Sequence, residues 1–328
     1  VNVLLVRADG LGDALACAPL VAALRTAGHV LGAVLGTHNR DAFARGAFAR
    51  VHVLERIPWP GHGSTPGSRR EALAAARVAR YDVALIASEE PDAYEFARDA
   101  RIPERIGFIN GWEKPLKTLR IAPLLTRAIV RPASAARERH HEAVTLFRLG
   151  RGLHREVVPT RELARLRPLV LDEPAVPHGR VALQASLKLA DAGLGEAALV
   201  AAGTALAQRS RAVLVLGDDP ALAGRVAAAC GGEAATGLDL RAWKAAIAGA
   251  RALVTPDSGA AHVAGMLGIP CVDCFAPDDP RAPARWSPWA APYRILELDP
   301  MRSAAQIGAS IADAVDALPA AGAALSLA

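Results

Sequence analysis

ALVTPDSGAAHVAGMLGIPCVDCF, residues 252–275, reads as strand, tight turn, helix and strand. Apolar Leu253 and Val254 run into Pro256, and Asp257, Ser258 and Gly259 then open a helical pattern that stops before Gly268 and Pro270. Asp257 or Ser258 can cap that helix, and Gly259 lets the backbone approach a ligand closely. The free amides and dipole at such a helix start favour an anion such as a diphosphate. His262 lies one turn further on, facing the same point. An ordinary capped helix in an α/β sheet shows the same pattern, so this stretch alone leaves both readings open.

Outward from this stretch, short apolar runs alternate with helical stretches along the whole chain. Residues 2–7, 30–35, 51–54 and 83–87 are strand-like, with helices expected after the first run and over 69–80. Residues 98–136 read as less regular, and 137–153 as helix. Prolines 159, 168, 174 and 177 mark 156–179 as an interdomain connection. A second alternating set follows, with strands at 181–184, 212–216 and 295–298 and helices at 195–207, 221–230 and 303–318, while 240–250 precedes the strand that opens the 252–275 stretch. Alternation of this kind specifies parallel sheets with crossover helices. With 328 residues, the chain exceeds the ~250–300 at which single cores stop growing, so two doubly wound domains are expected, 1–165 and 166–328, with a ligand cleft at the strand ends.

The first apolar run enters a second glycine turn, ADGLGDALACAP, residues 8–19. As a dinucleotide fingerprint it fails, because Leu15 stands where the third glycine belongs, and an oxidoreductase is disfavoured. What remains is Asp13 at a helix start after a strand, with Gly10 and Gly12 beside it as loop contacts. Asp13 can be a cleft-facing carboxylate or a structural cap.

Residues 255–277, TPDSGAAHVAGMLGIPCVDCFAP, together with the Gly12–Asp13 turn, resemble the heptosyltransferases, the glycosyltransferase family that transfers heptose from ADP-heptose to the lipopolysaccharide core. The resemblance is sharp at 3–20 and 243–277. It implies a GT-B fold, an N-terminal acceptor-binding domain, and a C-terminal nucleotide-sugar domain whose final helix packs back toward the first. It implies that Asp257, Ser258, Gly259 and His262 hold the nucleotide sugar and that Asp13 is the catalytic base. Lys188, in VALQASLKLADAG, is a further expected phosphate contact. The family often continues this lysine with arginine and tryptophan-proline, whereas Leu189, Ala190 and Asp191 follow here. Arg285 and Trp286 resemble the family's loop after the signature helix and either line the donor pocket or pack.

The implied reaction is inverting and metal-independent transfer of heptose to an anionic, lipopolysaccharide-core-like acceptor. No cofactor is expected beyond the donor, ADP-heptose or another nucleotide sugar. A different donor, or a nucleotide- or glycan-binding protein without turnover, are the alternatives.

Charge supports an anionic partner. The chain carries +5, and residues 98–139 hold ten basic against four acidic side chains while the remainder is near neutral. Interleaved aromatics or a reading motif for nucleic acid are absent from this segment, so a glycolipid, an oligosaccharide or an anionic membrane surface fits better than nucleic acid. Arg120 and Arg127 are the acceptor candidates, and a solvated arginine-rich surface is the bland alternative.

Four cysteines make neither a disulfide framework nor a zinc site, and Cys271 and Cys274 sit in an expected buried strand. Asp218–Asp219 and Asp278–Asp279 precede prolines and read as capped turns rather than metal pairs. His140 and His141 point about 100° apart on a helix, which suits a surface or acceptor role. No metal is expected. VNVLLV begins a strand without a basic leader, and no apolar run reaches the ~18–20 residues of a membrane span. The expected location is cytoplasmic, with peripheral attachment at the inner membrane face as an option.

Overall fold

The computed structural model describes residues 1–57, 63–133, 140–186, 195–276, 283–299 and 301–319. Two compact units divide the chain, Val1–Arg161 and Glu162–Ala328.

In the first unit the strands are β1 (Asn2–Val6), β2 (Val30–Gly36), β3 (Arg50–Leu54), β4 (Val83–Ile86), β5 (Glu104–Ile109) and β6 (Arg127–Val130). They pair in the order β3-β2-β1-β4-β5-β6, every pair parallel, with Asn2 opposite Val30 and Val3 opposite Val83. Helices α1 (Leu11–Leu15), α2 (Ala18–Thr26), α3 (Pro66–Ala79), α4 (Pro91–Asp99), α5 (Pro115–Ile121) and α6 (Glu142–Phe147) complete it among the described residues. Strands buried on both faces must be apolar, and Val3–Val6 of β1 and the whole of β4 are continuous apolar runs for that reason. Leu4, Val6, Ala84 and Ile86 pack against Ala93, Phe96 and Ala97 of α4 in one core.

The second unit begins with α7 (Leu163–Val170) and then builds β7 (Val181–Ala185), α8 (Glu196–Gln208), β8 (Val213–Gly217), α9 (Pro220–Cys230), β9 (Glu233–Thr236), α10 (Leu240–Ala248), β10 (Ala252–Pro256), α11 (Gly259–Leu267), β11 (Cys271–Phe275), α12 (Pro283–Trp286), β12 (Tyr293–Glu297) and α13 (Ala304–Asp316). Its strand order is β12-β11-β10-β7-β8-β9, again all parallel. Counted from the first strand of each unit, both sheets have the Rossmann order, which reverses between the first and fourth strands. Both units are therefore doubly wound, as the alternation predicts, and ligand-binding loops belong after β1 and β4 in one and after β7 and β10 in the other.

Helix α13 opens on a reciprocal cap between Ser303 and Gln306. It lies against α8 and strands β10, β11 and β12 of its own unit. At the crossing, a Cβ on Gly308 would stand 2.6 Å from the Ala201 backbone, so only glycine lets the two helices come this close. Among the described residues, no helix is long and apolar enough to cross a membrane.

Three stretches differ from the sequence expectation. The basic segment is not irregular: it holds β5, α5 and the edge strand β6. The expected connection 156–179 contains α7, in spite of Pro168 within it. Among the described residues of the helix expected over 137–153, those at 142–147 are α-helical and a 3-10 turn follows at Arg148–Gly150.

Candidate functional site

Strand β1 ends in Arg7, and the chain turns through Asp9 and Gly10 into α1, so the turn stands at the point where the first sheet's strand order reverses. Asp13 sits inside the first turn of α1, and Gly10, the N-cap residue, provides no side-chain cap. The Asp13 carboxylate instead accepts a 2.5 Å bond from Nη2 of Arg7 at Oδ1. A Cβ on Gly10 would approach Asp13 Oδ2 to 2.7 Å, so glycine leaves the carboxylate its place. Gly12 lies inside the same turn, its carbonyl accepting from the Ala16 amide at 2.9 Å.

Arg7 is held on every side. Its Nη1 donates to the Ala87 carbonyl, and its Nε lies 3.3 Å from Asp9 Oδ2. Asp9 Oδ1 accepts from Ser88 Oγ at 2.9 Å and from Arg56 at 3.5 Å, and Arg56 also pairs with Glu90. The Asn39 amide donates to the carbonyls of Arg7 and Asp9 at 3.2 and 2.7 Å and accepts from the Gly36 amide at 2.7 Å, which fixes the turn. Burial works against the Arg7 charge, yet Asp13 and Asp9 hold its pKa above the usual guanidinium value. Burial raises the Asp9 carboxyl, and the Arg7 charge opposes that rise.

A second charged cluster stands further along the same strand edge. Arg131, just past β6, donates to both oxygens of Glu142 at 3.2 Å, and both side chains are fully buried. Nη2 of Arg131 is also 3.3 Å from Glu89, which lies 3.5 Å from Lys117 of α5. Burial lowers the Lys117 pKa, with Glu89 acting against it.

The two acceptor candidates of the sequence have partners of their own. Arg120 is exposed on α5 and pairs with Glu95 at 2.8 Å. Arg127 begins β6, at the opposite end of that strand from Arg131, and donates to the Arg151 carbonyl at 3.0 Å. His141 caps α6, its Nδ1 accepting from the Ala143 amide at 3.0 Å.

In the second unit, β10 delivers Asp257 and Ser258 at the other reversal point. Ser258 is the N-cap of α11, its Oγ accepting from the Ala260 amide at 3.3 Å and lying 3.0 Å from Thr255 Oγ1. The Asp257 amide donates to the Cys274 carbonyl at 3.1 Å, which ties the turn to β11. Gly259 opens the helix, and Gly268 ends it in the left-handed conformation at φ +71°. His262 is buried and meets the Trp286 ring edge-on at 5.7 Å, while the Arg285 guanidinium stacks on Trp286 at 4.8 Å. Asp257, Ser258, Gly259 and His262 thus stand together, with Arg285 and Trp286 beside His262. At the end of β7, Gln184 accepts from Trp243 of α10 at 3.1 Å. Lys188, Asp278 and Asp279 lie outside the described residues. Asp219 caps α9, accepting from the Ala221 and Leu222 amides at 2.9 and 3.2 Å. Cys271 and Cys274 are buried in β11, and burial pushes both thiols well above their usual range.

The sequence reading did not single out Arg7, Asp9, Arg131 or Glu142 as site residues. The signal for two of them is visible afterwards: Arg7 and Arg131 each directly follow a strand, NVLLV and RAIV, and so stand at the ligand-binding edge of a parallel sheet.

Residues 203–309 match the model of glycosyltransferase family 9 (heptosyltransferase), a segment that contains Asp257, Ser258, Gly259 and His262. No curated protein matches the chain. Among solved structures it is similar to E. coli heptosyltransferase WaaC with ADP, at 16% identity and TM-score 0.72 over 96% of this chain and 98% of that one. E. coli ADP-heptose lps heptosyltransferase II aligns at 17% identity and TM-score 0.69, again over 96% and 98%. The glycosyl transferase family 9 protein of Veillonella parvula aligns at 15% and 0.68, over 90% and 86%. By sequence, then, a segment of the second unit is similar to glycosyltransferase family 9, and the chain has the GT-B fold seen in the heptosyltransferases.

Proposed function

We propose that the protein is an inverting, metal-independent glycosyltransferase that moves heptose from ADP-heptose to an anionic, lipopolysaccharide-core-like acceptor. The observation that carries the reading is the pairing of Asp13 with buried Arg7 at one strand-order reversal, alongside a capped helix start at the other, inside the family 9 segment.

In this reading an Asp13 oxygen takes the proton of an acceptor hydroxyl, whose oxygen attacks the anomeric carbon as the bond to the diphosphate oxygen breaks. Configuration inverts. The leaving diphosphate departs as a stabilised anion and needs no acid. Amides at Ser258 and Gly259 and the dipole of α11 favour that anion, and Lys188 is the proposed further countercharge. Arg7 keeps the carboxylate in one orientation and balances its charge. The run Leu189–Ala190–Asp191 after Lys188 departs from the family and favours, as a second reading, a GT-B transferase with another donor sugar.

Thermal stability with excess ADP, UDP, GDP or NADH, each in EDTA, tests the donor side. A ligand at 100 times its dissociation constant adds about 2.7 kcal/mol, so ADP alone should raise the melting point. A preference for UDP or GDP discards the heptose and keeps the fold. Asp13→Asn tests the base: heptosyl transfer should vanish while ADP stabilisation persists, and unchanged transfer removes Asp13 from the chemistry.

A further inference from the structure

Asp9 is the charged residue of the first site to which the transfer reaction gives no task. It follows β1 and precedes α1, and its carboxylate lies against another edge of the guanidinium that serves Asp13. Its Oδ2 is 3.3 Å from Arg7 Nε, while Arg7 Nη2 meets Asp13. The Nε contact is an ion pair and not an aligned hydrogen bond, so what Asp9 supplies to Arg7 is charge. Its Oδ1 is taken up from other elements: Ser88, just past β4, donates to it at 2.9 Å, and Arg56, just past β3, lies at 3.5 Å. The Asp9 side chain is 20% exposed against 32% for Asp13, which suits it to act on Arg7 rather than on a substrate.

A carboxylate base has two needs that conflict. Orientation calls for a fixed, charged donor, yet a cation that belongs to the carboxylate alone favours its charged form and weakens it as a proton acceptor. Arg7 is shared between two carboxylates on two of its edges, so neither holds the whole of its charge.

We propose that Asp9 is a positioning residue for Asp13 and acts through Arg7: it takes up part of the guanidinium charge, so that Arg7 orients the Asp13 carboxylate without quenching it. Through Ser88 and Arg56 it also ties that guanidinium to the ends of β4 and β3. The task given to Asp13 rests on the transferase reading, whereas the sharing of Arg7 does not.

The arrangement has a limit on the acid side. Burial raises the Asp9 carboxyl and the Arg7 charge opposes the rise; Asp13 and Glu90 add negative charge beside it, and the Ser88 hydrogen bond favours its anion. Arg56 is the second cation in reach, His38 meets the Asp9 carbonyl at 2.5 Å, and the buried Cys17 thiol, pushed up to about 12, stays neutral. A proton on Asp9 returns Arg7 to Asp13 alone, which is the condition that Asp9→Asn makes permanent.

Asp9→Asn keeps the shape, can still accept from Ser88, and removes the charge. For heptosyl transfer, kcat should fall about tenfold with donor KM and ADP stabilisation unchanged. The acid limb of the kcat profile should move about one pH unit lower. A packing defect alone lowers kcat at every pH and leaves the limb in place, so an unmoved limb overturns the proposal. If Asp9→Asn does not fold, Ser88→Ala takes one bond from Asp9 and leaves every charge; its kcat should fall severalfold at unchanged KM, and wild-type kcat overturns the proposal. Urea unfolding of Asp9→Asn, Asp13→Asn and the double variant tests the sharing without any reaction. Each single variant leaves Arg7 one carboxylate in contact and the double variant leaves none, so the double loss should exceed the sum of the single losses. Losses that simply add overturn the proposal. A double loss above that sum in a protein that transfers no sugar would leave the shared guanidinium standing while the transferase reading falls.

Discussion

Arg7 and Asp13 are six residues apart and joined by a 2.5 Å bond between a guanidinium that is 4% exposed and a carboxylate that is 32% exposed. The buried partner fixes the orientation, and the accessible partner is left to meet substrate. Since Arg7 also engages Asp9 and the Ala87 carbonyl, its plane has no freedom to turn, and one oxygen of Asp13 is assigned to it.

Arg7→Lys keeps the charge and loses the fork. The expected result is kcat reduced by about 10- to 100-fold with KM nearly unchanged, since a misplaced group costs transition-state more than ground-state contacts. Arg7→Met leaves buried Asp9 with the more distant Arg56, at 3.5 Å, as its cation and should destabilise by about 3 kcal/mol. Steady-state kinetics and urea unfolding read the two effects separately. Full activity in Arg7→Lys would show that Asp13 does not depend on the fork.

Arg131 and Glu142 form a buried bidentate pair, and removing one member takes the bidentate partner from the other. Arg131→Met should cost about 3–5 kcal/mol, whereas Arg131→Met/Glu142→Met should recover much of that loss, because a buried pair is often replaceable by apolar side chains. A double-mutant cycle by denaturant unfolding measures the coupling. Additive losses would show that Glu89, not Glu142, carries the balance of charge at Arg131.

His52 gives a pH dependence with a definite sign. Burial, and then Arg50, lower its folded pKa below the ordinary imidazole value of 6.5, and its ring lies 2.9 Å from the Tyr81 hydroxyl. As pH falls below 6.5 the unfolded chain takes up a proton that the folded state refuses, so stability present above 6.5 is lost down to the folded pKa. The slope for one such site is at most about 1.4 kcal/mol per pH unit. His52→Phe should therefore lose less stability than wild type between neutral and mildly acidic pH in paired urea melts. Parallel curves for the two proteins would remove His52 as the source.

The legible parts of the fold are those where burial leaves a mark in consecutive residues. Strands β1, β2, β4, β7, β8, β10 and β11 are covered on both faces and read as apolar runs. Strands β5 and β6 were obscured by Arg105 and Arg127, whose charged ends leave the sheet while the chain stays extended. Helix α7 was obscured by Pro168; the helix is held by tertiary bonds from Arg167 to the Leu267 carbonyl at 2.8 Å and from Lys244 to the Val170 carbonyl at 2.6 Å, neither of which is visible locally. At the sites the same division holds. Asp13 and the turn at 257–262 are marked by neighbouring glycines. Arg131 meets Glu142 and Glu89 only because strand order brings β4, β5 and β6 side by side.

Gly265 tests whether the geometry around His262 matters for nucleotide binding. A Cβ there would stand 2.5 Å from the Trp289 amide nitrogen and 2.9 Å from the Pro288 Cα, and the Gly265 carbonyl accepts from the Ala290 amide at 3.0 Å. These neighbours are backbone and cannot turn aside as a side chain could. Gly265→Ala must therefore push α11 away from the segment that follows α12, and with it His262 away from Trp286. Overpacking of this kind costs about 1–3 kcal/mol, and unfolding should show a loss in that range. If His262 helps hold the donor, ADP affinity by calorimetry should fall about tenfold in Gly265→Ala and stay unchanged in a control such as Gly224→Ala, where a Cβ meets nothing within 4 Å. Destabilisation with unchanged ADP affinity would confine Gly265 to packing and detach the His262–Trp286 contact from the donor site.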